Sequence, residues 1–154
     1  MTGHFFQRGG IWVLVQGVLL VAVIGLGLCY RGQWHSLPLT LLGGFLLVLA
    51  GLCGFAGAAA LGRNLTPFPK PSAHTQLVQS GIYGLMRHPL YTAVTCGALG
   101  WALILASGPA LIAALALAPF FDAKARQEER WLRQQFPEYA EYEQRVRRFI
   151  PWLY

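Results

Sequence analysis

Acidic residues are a scarce chemical resource in this chain. Of 154 residues only 6 are Asp or Glu, against 12 Lys or Arg, and charged residues of both signs make up 12% of the sequence. A soluble domain carries about 25% charged residues, so a water-facing globular surface is excluded. Cysteine is equally thin. Cys29, Cys53 and Cys96 stand in or at the ends of apolar segments, with no CxxC pair and no zinc spacing, which excludes a disulfide framework and a Cys-based metal site. Gly-x-Gly-x-x-Gly, P-loop, His-Glu-x-x-His and Gly-x-Ser-x-Gly patterns are all missing, and with them the soluble nucleotide, metalloprotease and serine-hydrolase readings. There is no internal repeat, no low-complexity tail and no A-x-A cleavage pattern after the first apolar run.

What the chain has in quantity is apolar length, with 55% hydrophobic residues. Ile11 to Cys29 is free of charge and long enough for a bilayer crossing, which takes roughly 20 residues. Leu37 to Leu61 is a second such run, and its Gly43, Gly44, Gly51, Gly54 and Gly57 favour close helix–helix contact in lipid. Leu90 to Ala106 is a third. Ser107-Gly108-Pro109 reads as a tight turn, after which Ala110 to Phe121 returns as a fourth run. That run is short unless its helix continues past Asp122, and Pro119 is expected to kink it. Residues 138–149 read as a further short helix with Tyr139, Tyr142, Val146 and Phe149 on one side, and Ile-Pro-Trp-Leu-Tyr suits an interfacial anchor. The fold class expected is therefore all-α and polytopic. It has about four transmembrane helices, a hairpin of spans three and four, and a cytoplasmic amphipathic C-terminal element. One membrane-embedded domain covers 1–154, with two N-terminal spans in 1–62 and the hairpin with its loops in 63–154.

The net charge of +6 points to membrane rather than nucleic acid, because the basic residues flank apolar runs instead of covering a polar face. Of the 12 Lys and Arg, only Arg31 lies on the opposite side in a four-span arrangement. By the positive-inside rule both termini and the central loop face the cytoplasm, and the short connections near Gln33 and Gly108 face outward. A prokaryotic inner membrane is the expected location.

Candidate chemistry falls on that cytoplasmic side in two blocks. Arg87 and His88 stand at the mouth of span three, with Pro89 suited to its first turn. A helix start attracts anions through free amides and its dipole, and a guanidinium adds to that field. The second block, Arg126-Gln-Glu-Glu-Arg130, lies just beyond the membrane end of span four. A tight outer turn makes the inner ends of the two spans neighbours, so Arg87 and His88 are expected beside Glu128 and Glu129. A cation and an anion at one helix mouth suit a zwitterionic ligand such as an amino-acid head group. On a helical projection Phe121, Ala125, Glu128, Leu132 and Phe136 share one face, and Asp122, Arg126, Glu129 and Arg133 a more polar one. Glu128 is thus the expected inward group and Glu129 a secondary partner. Plainer uses remain open for each. Arg87 can snorkel to head groups, His88 can cap a helix, Gly81 and Gly84 can serve a turn, Tyr83 and Tyr91 can be interfacial, and the glutamates can belong to a solvated charge run. His4 and His74 are loop histidines with no evident partner.

Leu77-Val-Gln-Ser-Gly-Ile-Tyr-Gly-Leu-Met-Arg-His-Pro-Leu-Tyr91 resembles the signature of isoprenylcysteine carboxyl methyltransferases and related phospholipid methyltransferases. Glu128-Glu-Arg-Trp-Leu-Arg-Gln-Gln-Phe-Pro-Glu-Tyr-Ala-Glu-Tyr142, with Val146-Arg-Arg-Phe-Ile-Pro151, is similar to the same family's C-terminal element. The resemblance covers roughly residues 60–154. It implies an integral membrane methyltransferase using S-adenosylmethionine, with S-adenosylhomocysteine as product. It also implies a lipidic or small hydrophobic acceptor, most naturally a carboxylate, and no metal. By the same resemblance Arg87 and His88 meet the methionine carboxylate and Glu128 or Glu129 its ammonium. Leu77, Val78, Gly81, Ile82 and Tyr83 wall the adenosine, and Tyr91 closes the site. Arg126 or Arg148 is available for an acceptor carboxylate. The competing readings are a phospholipid or amine N-methyltransferase, an NADPH-dependent membrane reductase and a non-catalytic lipid-binding protein.

Overall fold

The computed structural model describes residues 6, 8–71 and 75–154, so His4 and His74 lie outside the described residues. Among the described residues the chain builds five α-helices: α1 (Gly10–Cys29), α2 (Leu37–Leu61), α3 (Pro89–Ile104), α4 (Gly108–Gln135) and α5 (Tyr139–Arg145). Short 3-10 turns at Gly62–Asn64 and Gly81–Gly84 bracket the connection between α2 and α3. No strand occurs among the described residues beyond one isolated parallel bridge, Met86 to Arg147. The chain is an all-α integral membrane protein.

Three helices, α1, α2 and α4, are long and apolar enough to cross a bilayer. The fourth span meets the expected condition by continuing past Asp122, and the short one is α3. Its 16 residues reach about 24 Å against a hydrocarbon core of about 30 Å. The fourth helix is continuous through Pro119 and runs past Asp122 to Gln135. It therefore carries the charged block Arg126–Arg130 out of the apolar layer on a rigid rod. The outer turn also falls slightly earlier than expected. Leu105, Ala106 and Ser107 make it, and Pro109 sits inside the first turn of α4. Ser107 caps that helix by accepting from the Ala110 amide, and its hydroxyl donates to the Leu26 carbonyl of α1. The α1–α2 connection is bonded to the same turn, with the Gly32 and Gln33 amides donating to Leu105 and Ala106 carbonyls.

Helix α2 packs chiefly on α3, and α1 on α4. The α2–α3 seam is closest at Gly43 and Gly100, where a Cβ on Gly100 would stand 2.7 Å from the Gly43 carbonyl oxygen. Backbones approach this closely only without side chains, which is how helices gain packing energy in lipid. The apolar centre is Val23, Ala98, Ala114, Leu117 and Phe121. Large apolar side chains on the outer faces of α1 and α2, Val18, Val21, Phe45 and Phe55 among them, are exposed as a lipid-facing surface requires. At the C-terminus Trp152 is 86% exposed, in keeping with an interfacial ring.

Candidate active site

The site begins where α3 begins. His88 is its N-cap residue and Pro89 its first helical residue, so one orphan amide is absent from the outset. The amides just before the helix are not free for an anion. Those of Arg87 and His88 donate to the carbonyls of Arg147 and Arg148 at 2.9 and 3.0 Å. The chain after α5 lies alongside residues 86–88 and saturates them, a long-range pairing that local sequence does not announce. Further bonds hold the two segments together. Tyr142 donates to the Tyr83 carbonyl at 2.6 Å, and Thr92 donates to the Phe149 carbonyl at 3.1 Å.

The charged side chains sort into two groups. Glu129 is the buried hub, 1% exposed. Its Oε1 accepts from His88 Nε2 at 3.0 Å and from Arg148 Nε at 3.0 Å, its Oε2 accepts from Arg148 Nη2 at 2.8 Å, and Arg87 Nη2 stands 3.3 Å away. A carboxylate accepts only, so His88 carries its proton on Nε2 in this contact. Arg87 also pairs with Glu143 at 3.3 Å, which Arg133 holds at 2.9 and 2.6 Å. Arg148 donates to Asp122 at 2.8 Å as well.

Glu128, with 25% of its side chain exposed, stands apart from this hub. Its Oε2 accepts from the Tyr91 hydroxyl at 2.5 Å, and His88 Nδ1 lies 3.8 Å off. The two glutamates are thus unequal, and the expectation for Glu129 needs correcting. The projection put it on the polar face of α4, but the C-terminal segment covers that face and brings Arg148 onto it. Arg148 and Arg126, expected to be available for an acceptor, are both engaged with Asp122.

Glu128 opens onto a cavity of about 110 Å³ whose mouth is open to solvent. Of the residues singled out in the sequence, Leu77, Val78, Tyr83, Arg87, His88, Tyr91 and Glu128 line it together. Three do not. Gly81 serves the turn, at φ +61° where only glycine is at ease. Ile82 packs on Cys53, Met86 and Ala93, and Glu129 lies behind the wall. Sequence reasoning missed Tyr139, Leu132 and the proline-bearing connection around Thr66, Phe68 and Pro69, which also line the cavity. The Tyr139–Tyr142 spacing was visible, but nothing local said that this helix face would turn toward residues 77–87.

Two buried donors on the cavity have no partner, Arg87 Nε and the Tyr139 hydroxyl. A buried polar atom left unpaired is uncommon and asks for an explanation. Burial pushes the Tyr139 and Tyr83 phenols up from their ordinary range, so both stay protonated. On one side, then, the cavity offers two unused donors and a positive charge. On the other it offers a carboxylate with one oxygen uncommitted to protein.

The family model described as phospholipid methyltransferase matches residues 38–139, two thirds of the chain and most of the cavity. The cobalt-zinc-cadmium resistance protein CzcN of Cupriavidus metallidurans is 35% identical over 99% of this chain, which spans 66% of that protein. Protein-S-isoprenylcysteine O-methyltransferase B of Arabidopsis thaliana is 30% identical over 70% of this chain and 57% of its own. Among solved structures, the eukaryotic intramembrane Ras methyltransferase ICMT (isoprenylcysteine carboxyl methyltransferase) superposes with TM-score 0.67 and 26% identity. That match covers 75% of this chain and 43% of the other. Among the described residues no group of three or more His, Cys, Asp or Glu side chains is placed to hold a metal ion.

Proposed function

Because this chain belongs to the phospholipid methyltransferase family, we propose that it is an S-adenosylmethionine-dependent methyltransferase of the cytoplasmic membrane, acting on the carboxylate of a lipidic acceptor. The observation that carries the reading is the pairing of unused donors and uncommitted carboxylate across one cavity, Arg87 Nε and Tyr139 Oη against Glu128. A zwitterionic amino-acid end matches that pattern, the carboxylate meeting the donors and the ammonium meeting Glu128. Bound there, S-adenosylmethionine supplies a methyl group already activated by its sulfonium.

Little chemistry is then left to the protein beyond position, charge and dryness. Leu77, Val78 and Leu132 give the cavity apolar walls for a purine-sized group. Tyr91 fixes Glu128 by donating to Oε2, which leaves Oε1 for the ligand. The ring of Tyr91 is itself held by stacking on His88 and Phe121, with centroids 5.2 and 4.8 Å away. Glu129 restrains Arg87 and His88 from behind. A carboxylate acceptor is nucleophilic as it stands, so no general base is needed. With basic residues gathered on the side of the cavity, the reading puts both termini and the site in the cytoplasm. The relatives named for isoprenylcysteine methylation supply the acceptor class, a carboxylate on a lipid.

Calorimetry on the purified chain in detergent tests the reading. S-adenosylhomocysteine should bind with micromolar affinity and NADPH should not. Arg87→Ala and Glu128→Ala should each weaken the first by at least about tenfold. Tight NADPH binding, or no S-adenosylhomocysteine binding by the unaltered chain, overturns it.

A further inference from the structure

Lys124 is a buried cation that the site as described does not use. It is 1% exposed, on α4, one helical turn nearer the apolar end of the rod than Glu128. Its Nζ donates to Gln16 Oε1 on α1 at 2.7 Å and to the Pro67 carbonyl at 3.4 Å, and lies 5.0 Å from the centre of the Tyr91 ring. All 6 acidic residues of the chain are described, and none forms an ion pair with it. Arg87 and Arg148 differ, because each of those is in direct contact with carboxylates, whereas the charge of Glu128 reaches Lys124 only from beyond ion-pair distance. An ammonium has three protons to place and here has two acceptors, both neutral. Burying a cation on such terms is costly, and an apolar residue would fill the place more cheaply.

Its position suggests a use. Tyr91, and Thr66 and Phe68 on either side of Pro67, line the cavity. The ammonium therefore stands one residue behind the cavity wall, toward the membrane, where a lipid's polar end arrives. Building on the methyltransferase reading, we propose that Lys124 is the specificity-determining counter-charge for the acceptor. The acceptor's carboxylate displaces the Pro67 carbonyl, the longer of the two contacts, and pairs with the ammonium beside Tyr91. An amine head group meets like charge at this point and is disfavoured. Gln16 holds the side chain in place and takes no part in the selection.

The test is a binding comparison on the full chain in detergent saturated with S-adenosylhomocysteine. The probes are an S-prenylated cysteine with a free carboxylate, a long-chain fatty acid, and the methyl ester of each. The unaltered chain should prefer at least one acid over its ester by about tenfold or more, and Lys124→Met should abolish that preference. Lys124→Arg and Gln16→Leu should keep it, and S-adenosylhomocysteine affinity should move by no more than about twofold in every variant. If Lys124→Met fails to fold by circular dichroism, Lys124→Gln carries the same comparison. No preference in the unaltered chain for either pair, or a preference surviving Lys124→Met, overturns the proposal and leaves the methyltransferase reading standing. Equal loss for acids and esters makes Lys124 a structural tie and also overturns it. Failure of the unaltered chain to bind S-adenosylhomocysteine removes the underlying reading, and the proposal with it.

Discussion

Arg148 grips Glu129 with two guanidinium nitrogens, Nε on one carboxylate oxygen at 3.0 Å and Nη2 on the other at 2.8 Å. The pair joins the segment after α5 to the polar end of α4, and through His88 and Arg87 to the start of α3. Removing Arg148 leaves Glu129 with Arg87 and His88 only, so the cost approaches but does not reach the roughly 3–5 kcal/mol of a fully uncompensated buried charge. Arg148→Ala should therefore lower the thermal midpoint substantially and expose the C-terminal segment to protease. Lysine cannot reproduce the two-pronged contact, so Arg148→Lys should recover only part of the loss. A midpoint unchanged in Arg148→Ala would contradict this account.

The two adjacent glutamates should separate cleanly under the same isosteric change. Glu129→Gln loses the charge that Arg87, Arg148 and the His88 ring share, and should cost stability before anything else. Glu128→Gln keeps the hydrogen bond from Tyr91 and removes only a charge facing the cavity. It should leave the thermal midpoint nearly unmoved while weakening S-adenosylhomocysteine by about tenfold or more. Melting curves and calorimetry on the two variants decide it, and equal effects in both assays would sink the distinction.

Tyr139→Phe gives a sign test. Its hydroxyl is buried, lines the cavity and lacks a partner, so removing it relieves an unsatisfied group in the free protein. Free stability should hold or rise slightly. Binding should fall by about tenfold, because a hydrogen bond to a charged group is lost. Loss of stability without loss of binding would show that the hydroxyl serves the fold.

The apolar helices and the meeting of Arg87 and His88 with Glu128 and Glu129 were legible because each rests on a local signal. Apolar runs and a tight turn suffice for them. What stayed hidden depends on a return of the chain. The segment at 146–149 cannot be seen from sequence to lie against 86–88, so neither the occupied amides nor the Arg148–Glu129 pair could be foreseen. The same packing turned the supposedly polar face of α4 inward and made Glu129, not Glu128, the buried one. By sequence Lys124 is one more basic residue following the fourth apolar run, and its tie to Gln16, more than a hundred residues earlier, is invisible there.

The glycines of α2 and α3 should not be equivalent. A Cβ on Gly100 meets the Gly43 carbonyl, and backbone cannot step aside as a side chain tip can. Gly100→Ala should push the helices apart and destabilise by about 1–3 kcal/mol. Gly51 has nothing within 4 Å of its would-be Cβ, so Gly51→Ala should be neutral or stabilise by up to about 1 kcal/mol through helix propensity. Denaturation in mild detergent measures both, and a destabilising Gly51→Ala would show a seam on that face as well.

Acid should weaken the contact between Glu143 and its two arginines. Hydrogen bonds from Arg133, and the charges of Arg133 and Arg87, outweigh burial and hold the Glu143 carboxyl below its usual range. A carboxyl depressed on folding stabilises the protein above its unfolded value of roughly 4.3, and that contribution is lost as pH falls through the lower folded value. Glu143→Gln should therefore lower the thermal midpoint near neutral pH. The gap between variant and parent should narrow below about pH 4.3 and close once the carboxyl is protonated in the folded chain too. Arg133 is nearly half exposed, so salt should shrink the neutral-pH gap as well. A gap independent of both pH and salt would mean that Glu143 acts through packing, and that Arg87 is restrained at the cavity by Glu129 alone.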